Sequence, residues 1–312
     1  MKYRIYAGLL AIYVFWGSTY LAIRFAVETM PPFLMAATRF LVSGVILFAW
    51  RRAAGDTLPT RPQLRSAAIV GLFLLLGGNG SVVWAEQRVV SGIAALLVGS
   101  VPLWMVVLDL LRPKSPRPSW QSLIGVLLGF VGIIILIGPW EFSNNKQPVD
   151  LLGVGALMFA SLSWAIGSLY ARDAKLPPSP LLATSLEMIA GGIGLLLLGT
   201  LTGEWSRVDL GAIELHSFLG LGYLIVFGSL IGFAAYTWLL RVAPTPLVAT
   251  YAYVNPLVAI FLGNLLAQEP LTLRVLFSAS IIIGSVALIT FLRSKPRSSL
   301  LKASPVLSSG DD

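Results

Sequence analysis

Two ionisable residues, Arg39 and Glu187, lie deep inside apolar stretches of this chain. A charge within a bilayer is costly, so such a residue is read first as functional. Arg39 follows Pro32 by seven residues, about 10 Å along a helix, which is too deep for an end anchor. The two occupy equivalent places in an internal repeat and are expected to meet as an intramembrane charge pair. That pair would either hold two helices together or handle substrate or a proton. A second group joins flat aromatic faces to small polar groups: Trp16, Ser18, Asn79, Ser100, Trp164, Ser168, Tyr251 and Asn255. Such a set suits the binding of an amphipathic solute such as an amino acid. A third group, Trp84, Pro102, Trp238 and Pro256, is expected to act in gating. Proline within a spanning helix frees a backbone carbonyl one turn earlier, in a slab that offers no water. Trp84 and Trp238 lie near span ends, where an interfacial aromatic belt accounts for them equally well.

The elements that position these residues must be membrane helices. Of 312 residues, 56% are hydrophobic and 12% charged, whereas a soluble domain carries about 25% charged residues. That composition excludes a soluble domain and a disordered chain. Cysteine is absent and His216 is the single histidine, so no disulfide scaffold, His/Cys metal centre or haem is expected, and no cofactor. An intramembrane enzyme also fails. His216 falls in a loop, leaving a serine without a base at membrane depth, and no paired aspartates lie inside spans. No GxxxxGK[ST] loop is present for ATP. The net charge is +8, but the basic residues do not gather with aromatics on a polar face, which excludes nucleic acid.

Apolar runs of spanning length predict ten helices, at about 5–25, 32–50, 66–84, 89–111, 119–139, 150–170, 180–200, 214–238, 246–267 and 272–292. The first run is too long for a signal-peptide core and reads as an uncleaved helix. With the N-terminus inside, sixteen basic residues fall in inner segments and five in outer ones. Both termini are therefore expected in the cytoplasm of a multi-pass protein of the cell inner membrane. Glu86, Asp109 and Glu269 come at helix ends and read as solvated interfacial carboxylates.

The chain repeats itself. Trp16, Pro32, Arg39, Ser43 and Gly44 recur 148 positions later as Trp164, Pro180, Glu187, Gly191 and Gly192. Farther on the offset is 154, with Trp84 and Pro102 matching Trp238 and Pro256. Five spans per copy is an odd number, so the second copy enters the membrane from the opposite side. The expected fold is all-α, with ten transmembrane helices as two inverted five-helix repeats at 1–140 and 150–292 and a basic cytoplasmic tail at 293–312. Secondary carriers are built this way, with the site near the midplane between the halves. Gly77-Gly78-Asn79-Gly80 and the stretch from Gly228 to Gly232 weaken the third and eighth helices at related places, as if to line a cavity.

Trp16-Gly17-Ser18-Thr19, Pro31-Pro32 and Arg39-Phe40 resemble the first two helices of EamA-type drug/metabolite transporters. So does the run from Tyr236-Thr237-Trp238 through Ala243-Pro244 to Tyr251-Ala252-Tyr253-Val254-Asn255-Pro256 and Glu269. The resemblance spans nearly the whole chain and implies a ten-helix exporter of metabolites, often amino acids or related compounds. The expected partners are a small-molecule substrate and the lipid bilayer, and a homodimer is compatible. The expected activity is alternating-access export. The alternative is a channel or facilitator, for which a charged or carbonyl-lined filter would be expected, and none is evident. Reporter fusions after Lys302 and near Lys146 should report opposite sides of the membrane; cytoplasmic signal from both would contradict the topology.

Overall fold

In the computed structural model, residues 2–111, 118–138 and 150–294 are described, and the apolar runs among them are helices. They are α1 Lys2–Thr29, α2 Pro32–Ala53, α3 Arg61–Ala85, α4 Ser91–Leu111, α5 Trp120–Ile137, α6 Leu151–Asp173 and α7 Pro180–Leu201. Next come α8, Leu215–Tyr223 continued through Gly232–Val242, α9 Tyr251–Ala267 and α10 Leu273–Ser294. Nine are long and apolar enough to cross a membrane, and α9 is a shorter apolar helix. No strand occurs among the described residues. A spanning chain must satisfy its backbone within each segment, which helices do. Large apolar side chains such as Leu127, Leu197 and Phe261 remain exposed because lipid is their solvent. The two faces are called inner and outer after the basic-residue asymmetry.

The repeat is visible in the packing of α2 on α7. These helices run antiparallel, with Gly44 against Ser185, Met188 and Ile189, Gly192 against Leu41, and Gly199 against Leu34. Gly44 and Gly192 are repeat equivalents, so the pseudo-twofold axis passes near them. Loop carboxylates obey the same symmetry. Glu204, 2% exposed, reaches back to the outer start of α2 and accepts from the amides of Phe33 (3.3 Å) and Leu34 (2.9 Å). Its equivalent 148 residues earlier, Asp56, lies at the inner face, where Arg51 and then Ser179, at the start of α7, hold its carboxyl down to about 2. Each acid serves the N-terminal end of a helix in the other repeat, where backbone amides favour negative charge.

Two interruptions differ from expectation. Pro102 does not break α4; the break precedes it at Gly99-Ser100, and Pro102 is the second residue of the restarted segment Val101–Leu111. Proline is tolerated there because the first amides of a helix have no helical partner. Pro256 lies inside an unbroken α9, and the turn at Ala249-Thr250 comes before that helix, after the short segment Thr245–Val248. The glycine-weakened stretches in α3 and α8 are not broken either. They widen into π-helix at Leu72–Asn79 and Leu224–Ile231, eight residues each and 152 apart. The Gly80 amide reaches the Leu75 carbonyl and the Gly232 amide the Phe227 carbonyl, each a five-residue span.

Losing the Glu204 cap should cost about 1–2 kcal/mol, within the range measured for N-caps. Glu204→Ala is expected to lower the melting temperature in detergent, with Glu204→Gln intermediate; an unchanged melt for Glu204→Ala would contradict the capping role.

Candidate functional site

The first helix of each repeat docks on the widened turn of the other repeat's third helix. Trp16 of α1 donates its indole N–H to the Gly228 carbonyl in the α8 π segment, at 3.1 Å. A side chain at Gly232 would collide with that indole. Trp164 of α6 lies likewise on Gly78 in the α3 π segment, and Gly78 and Gly232 are repeat equivalents. Next to Trp164, the Ser163 hydroxyl donates to the Phe73 carbonyl of the same π segment at 2.7 Å. Wider π turns leave carbonyls open to outside donors, and here each is met from the opposite repeat.

The α8 seat is the more elaborate. Trp16 contacts Phe233, Tyr236 and Tyr251 at ring-centroid distances of 5.3, 5.1 and 5.1 Å. Tyr236 and Tyr251 meet edge-on at 5.7 Å. Neighbouring Gly17 lets α1 approach the Asn255 carbonyl of α9, and the Asn255 side-chain oxygen is buried without a partner. Ser18 shares a 2.6 Å hydrogen bond with the Tyr223 hydroxyl. Arg39, 4% exposed, enters from α2 and donates from Nε to the Ser229 hydroxyl at 3.0 Å. Its guanidinium lies 4.7 Å from the Phe40 ring, and its Nη1 has no partner. Thus Trp16, Ser18, Tyr251, Asn255 and Arg39 gather around one π segment.

The remaining expected residues lie elsewhere. Asn79 ends the α3 π segment beside Gly78, with its side-chain oxygen buried and unpartnered. Ser100 is buried in the α4 break and donates to the Leu97 carbonyl at 2.5 Å, a carbonyl that Ser161 also reaches. Ser168 is half-buried on α6. Trp84 lies under Arg88, whose guanidinium is 4.3 Å from its ring, near the outer face. Trp238 is 38% exposed and packs on Gly8 toward the inner face. Pro102 lies in α4, while Pro256 is buried against Gly99.

The expected Arg39–Glu187 pair is not brought together. Antiparallel crossing at Gly44 and Gly192 sends the two residues to opposite sides of the axis, so Arg39 aligns near Gly194 and Glu187 near Ile46. Seven residues separate those levels, about 10 Å along the helix. Arg39 instead bonds Ser229, and the Glu187 backbone lies against Gly71 of α3. Glu86 and Glu269 also depart from expectation. They are 5% and 6% exposed rather than solvated. Glu269 accepts from the Ser91 and Gly92 amides at the start of α4 (2.8 and 3.0 Å) and pairs with Arg24 at 2.8 Å. Ser229 and Tyr223 carry no sequence signal, since a serine and a tyrosine in an apolar run are ordinary.

Ten helices arranged as inverted repeats, with cross-repeat seats at two π segments, define a multi-pass membrane transporter. The model of the EamA-like transporter family matches residues 4–138 and 151–291, and the chain belongs to that family. It is 39% identical over 289 residues to the inner membrane transporter YedA of Escherichia coli K12, covering 92% of this chain and 90% of that one. A transporter of Archaeoglobus fulgidus is 23% identical over 88% of this chain and 94% of its own. A crystal structure 19% identical to this chain superposes with a TM-score of 0.60, covering 94% and 99% of the two chains, which shows the shared fold.

Residues that do not touch should be additive in stability within about 0.3–0.5 kcal/mol, and hydrogen-bonded ones should not. A double-mutant cycle on unfolding in mixed micelles should find Arg39→Ala and Glu187→Ala additive, and Arg39→Ala and Ser229→Ala coupled. Coupling in the first cycle and none in the second would contradict the geometry.

Proposed function

We propose that the protein exports small amphipathic metabolites, amino acids or related compounds, from the cytoplasm by alternating access. The observation that carries this reading is the exchanged seating of Trp16 on α8 and Trp164 on α3. In each seat a helix of one repeat bears on a weakened turn of the other, so rocking one repeat loosens both seats in opposite senses across the membrane. The α8 seat suits a zwitterion. Arg39 carries a buried cation with an unused N–H for a carboxylate, Asn255 an unused acceptor, and Trp16, Tyr236 and Tyr251 apolar faces. Asn79 and Trp164 contribute the related groups in the other repeat.

In this reading the protein lies in the cell inner membrane with both termini cytoplasmic, and its partners are the solute and the bilayer, with a homodimer compatible. Trp84, Pro102, Trp238 and Pro256 act in opening and closing the two ends. A channel would need a continuous lined pore, and the tightly packed aromatic seat favours a carrier.

Overproduction should protect cells against a chemically related set of toxic metabolites, and a protected compound then serves in proteoliposomes. Flux should saturate and be accelerated by the same compound on the far side; non-saturable flux without that acceleration would establish a channel. Trp16→Ala and Trp164→Ala should weaken apparent affinity roughly tenfold, about 1.4 kcal/mol, with membrane insertion intact. Pro102→Ala and Pro256→Ala should slow turnover instead. Unchanged affinity at both tryptophans would remove them from the site.

A further inference from the structure

The outer end holds a carboxyl group that solute binding does not use. Glu86 follows Ala85 at the C-terminus of α3, just beyond the span, and is 5% exposed. Both of its oxygens are buried without a hydrogen-bond partner, the Arg24 backbone amide lying close but outside normal geometry. A helix C-terminus is the negative end of its dipole, so α3 does nothing to favour a carboxylate there.

The surrounding charges are engaged elsewhere except Arg39, whose Nη1 has no partner. On α1, Arg24 is paired with Glu269, Tyr20 lies within electrostatic reach of Glu86, and Glu28 pairs with His216 of α8. On α2, Arg39 donates its Nε to Ser229. Glu269, from the turn after α9, adds a second negative charge, while Arg88 lies over Trp84. A carboxylate at Glu86 would be a buried charge in need of compensation, and the neutral acid is not. Burial first, and the Glu269 charge second, push the Glu86 carboxyl well above the usual carboxylate range. A route for protons is present. A cleft of about 370 Å³ opens at this end, lined by Arg24, Glu28, Glu86, Gln87, Arg88 and Val90 among others.

We propose that Glu86 is a proton-binding site of the transporter, loaded from outer water as the outer end closes. The proton passes from hydronium in the cleft to a carboxylate oxygen of Glu86, and it returns to water when the end opens and hydrates the group. Arg24 and Arg39 offset the charge of the ionised form. Acid outside therefore favours the closed outer end, and each closure takes up one proton.

The inference rests on the carrier reading for the meaning of closure, but its test needs no solute. The chain has no cysteine, so Val27→Cys puts a single thiol in the cleft wall of the full-length protein in nanodiscs. Its rate of reaction with a charged maleimide is divided by that of the same cysteine in Glu86→Gln, which cancels the thiol's own ionisation. The ratio should be near one in acid and rise roughly tenfold per pH unit before it saturates. His216→Asn should keep the rise, which places the sensor at Glu86 and not at the Glu28–His216 pair. Infrared difference spectra at neutral pH should show a protonated-carboxyl band in wild type that Glu86→Gln lacks.

A ratio of one at every pH, or no difference in that band, overturns the proposal. Should Glu86→Gln fail to fold, Glu86→Asp against wild type makes the same comparison, and an unshifted rise overturns it. A flat ratio with solute counterflow intact would remove the proton site alone. A pH-dependent ratio without counterflow would remove the carrier reading alone.

Discussion

The Trp16 indole on the Gly228 carbonyl, mirrored by Trp164 on Gly78, is the constraint around which the other helices are arranged. A π turn in a bilayer presents backbone carbonyls that no water can satisfy, so it persists only where another helix supplies a donor or an apolar cover. Because the cover for each repeat comes from the other, each widened turn has a carbonyl, Gly228 or Phe73, that takes a donor from the opposite repeat. The glycines at 78 and 232 follow from this, since any side chain there would displace an indole. The α2–α7 crossing sets the axis about which the exchange is symmetric, and Glu204 and Asp56 fix the two ends of that crossing in the same exchanged sense.

Symmetry in the backbone does not carry over to chemistry. Arg39 enters the α8 seat and finds Ser229, whereas its equivalent Glu187 packs its backbone against Gly71 and makes no ion pair among the described residues. The aromatic cluster is likewise one-sided, with Phe233, Tyr236 and Tyr251 around Trp16. Duplication supplied two similar seats, and the side chains gave one of them an aromatic cluster and a buried guanidinium. The outer end is asymmetric too. Glu269 and Arg24 close it over Glu86, whose two carboxyl oxygens are buried without a hydrogen-bond partner.

Much of the fold is legible in the sequence because bilayer solvation imposes long apolar runs, and duplication leaves fixed offsets between Trp16 and Trp164 or Pro102 and Pro256. The grouping of Trp16, Tyr251 and Asn255 is legible for the same reason, as aromatic and amide groups are conspicuous in such runs. Three things are not. Glycines at 77, 78 and 80 announce a weak helix, but whether it breaks or widens depends on the indole that covers it. The partner of Arg39 depends on where two helices cross, which shifts equivalent residues in opposite directions. Burial of Glu86 and Glu269 depends on turns folding over helix ends, and composition at a span boundary carries no record of that.

Amide hydrogen exchange in nanodiscs tests the exchanged seating most directly, read at Leu72–Asn79 and Leu224–Ile231 in wild type, Trp16→Phe and Trp164→Phe. If each seat is held from the opposite repeat, Trp16→Phe accelerates exchange in Leu224–Ile231 and leaves Leu72–Asn79 unchanged, and Trp164→Phe does the reverse. Acceleration confined to the substituted residue's own repeat, or spread equally over both segments, would contradict the account.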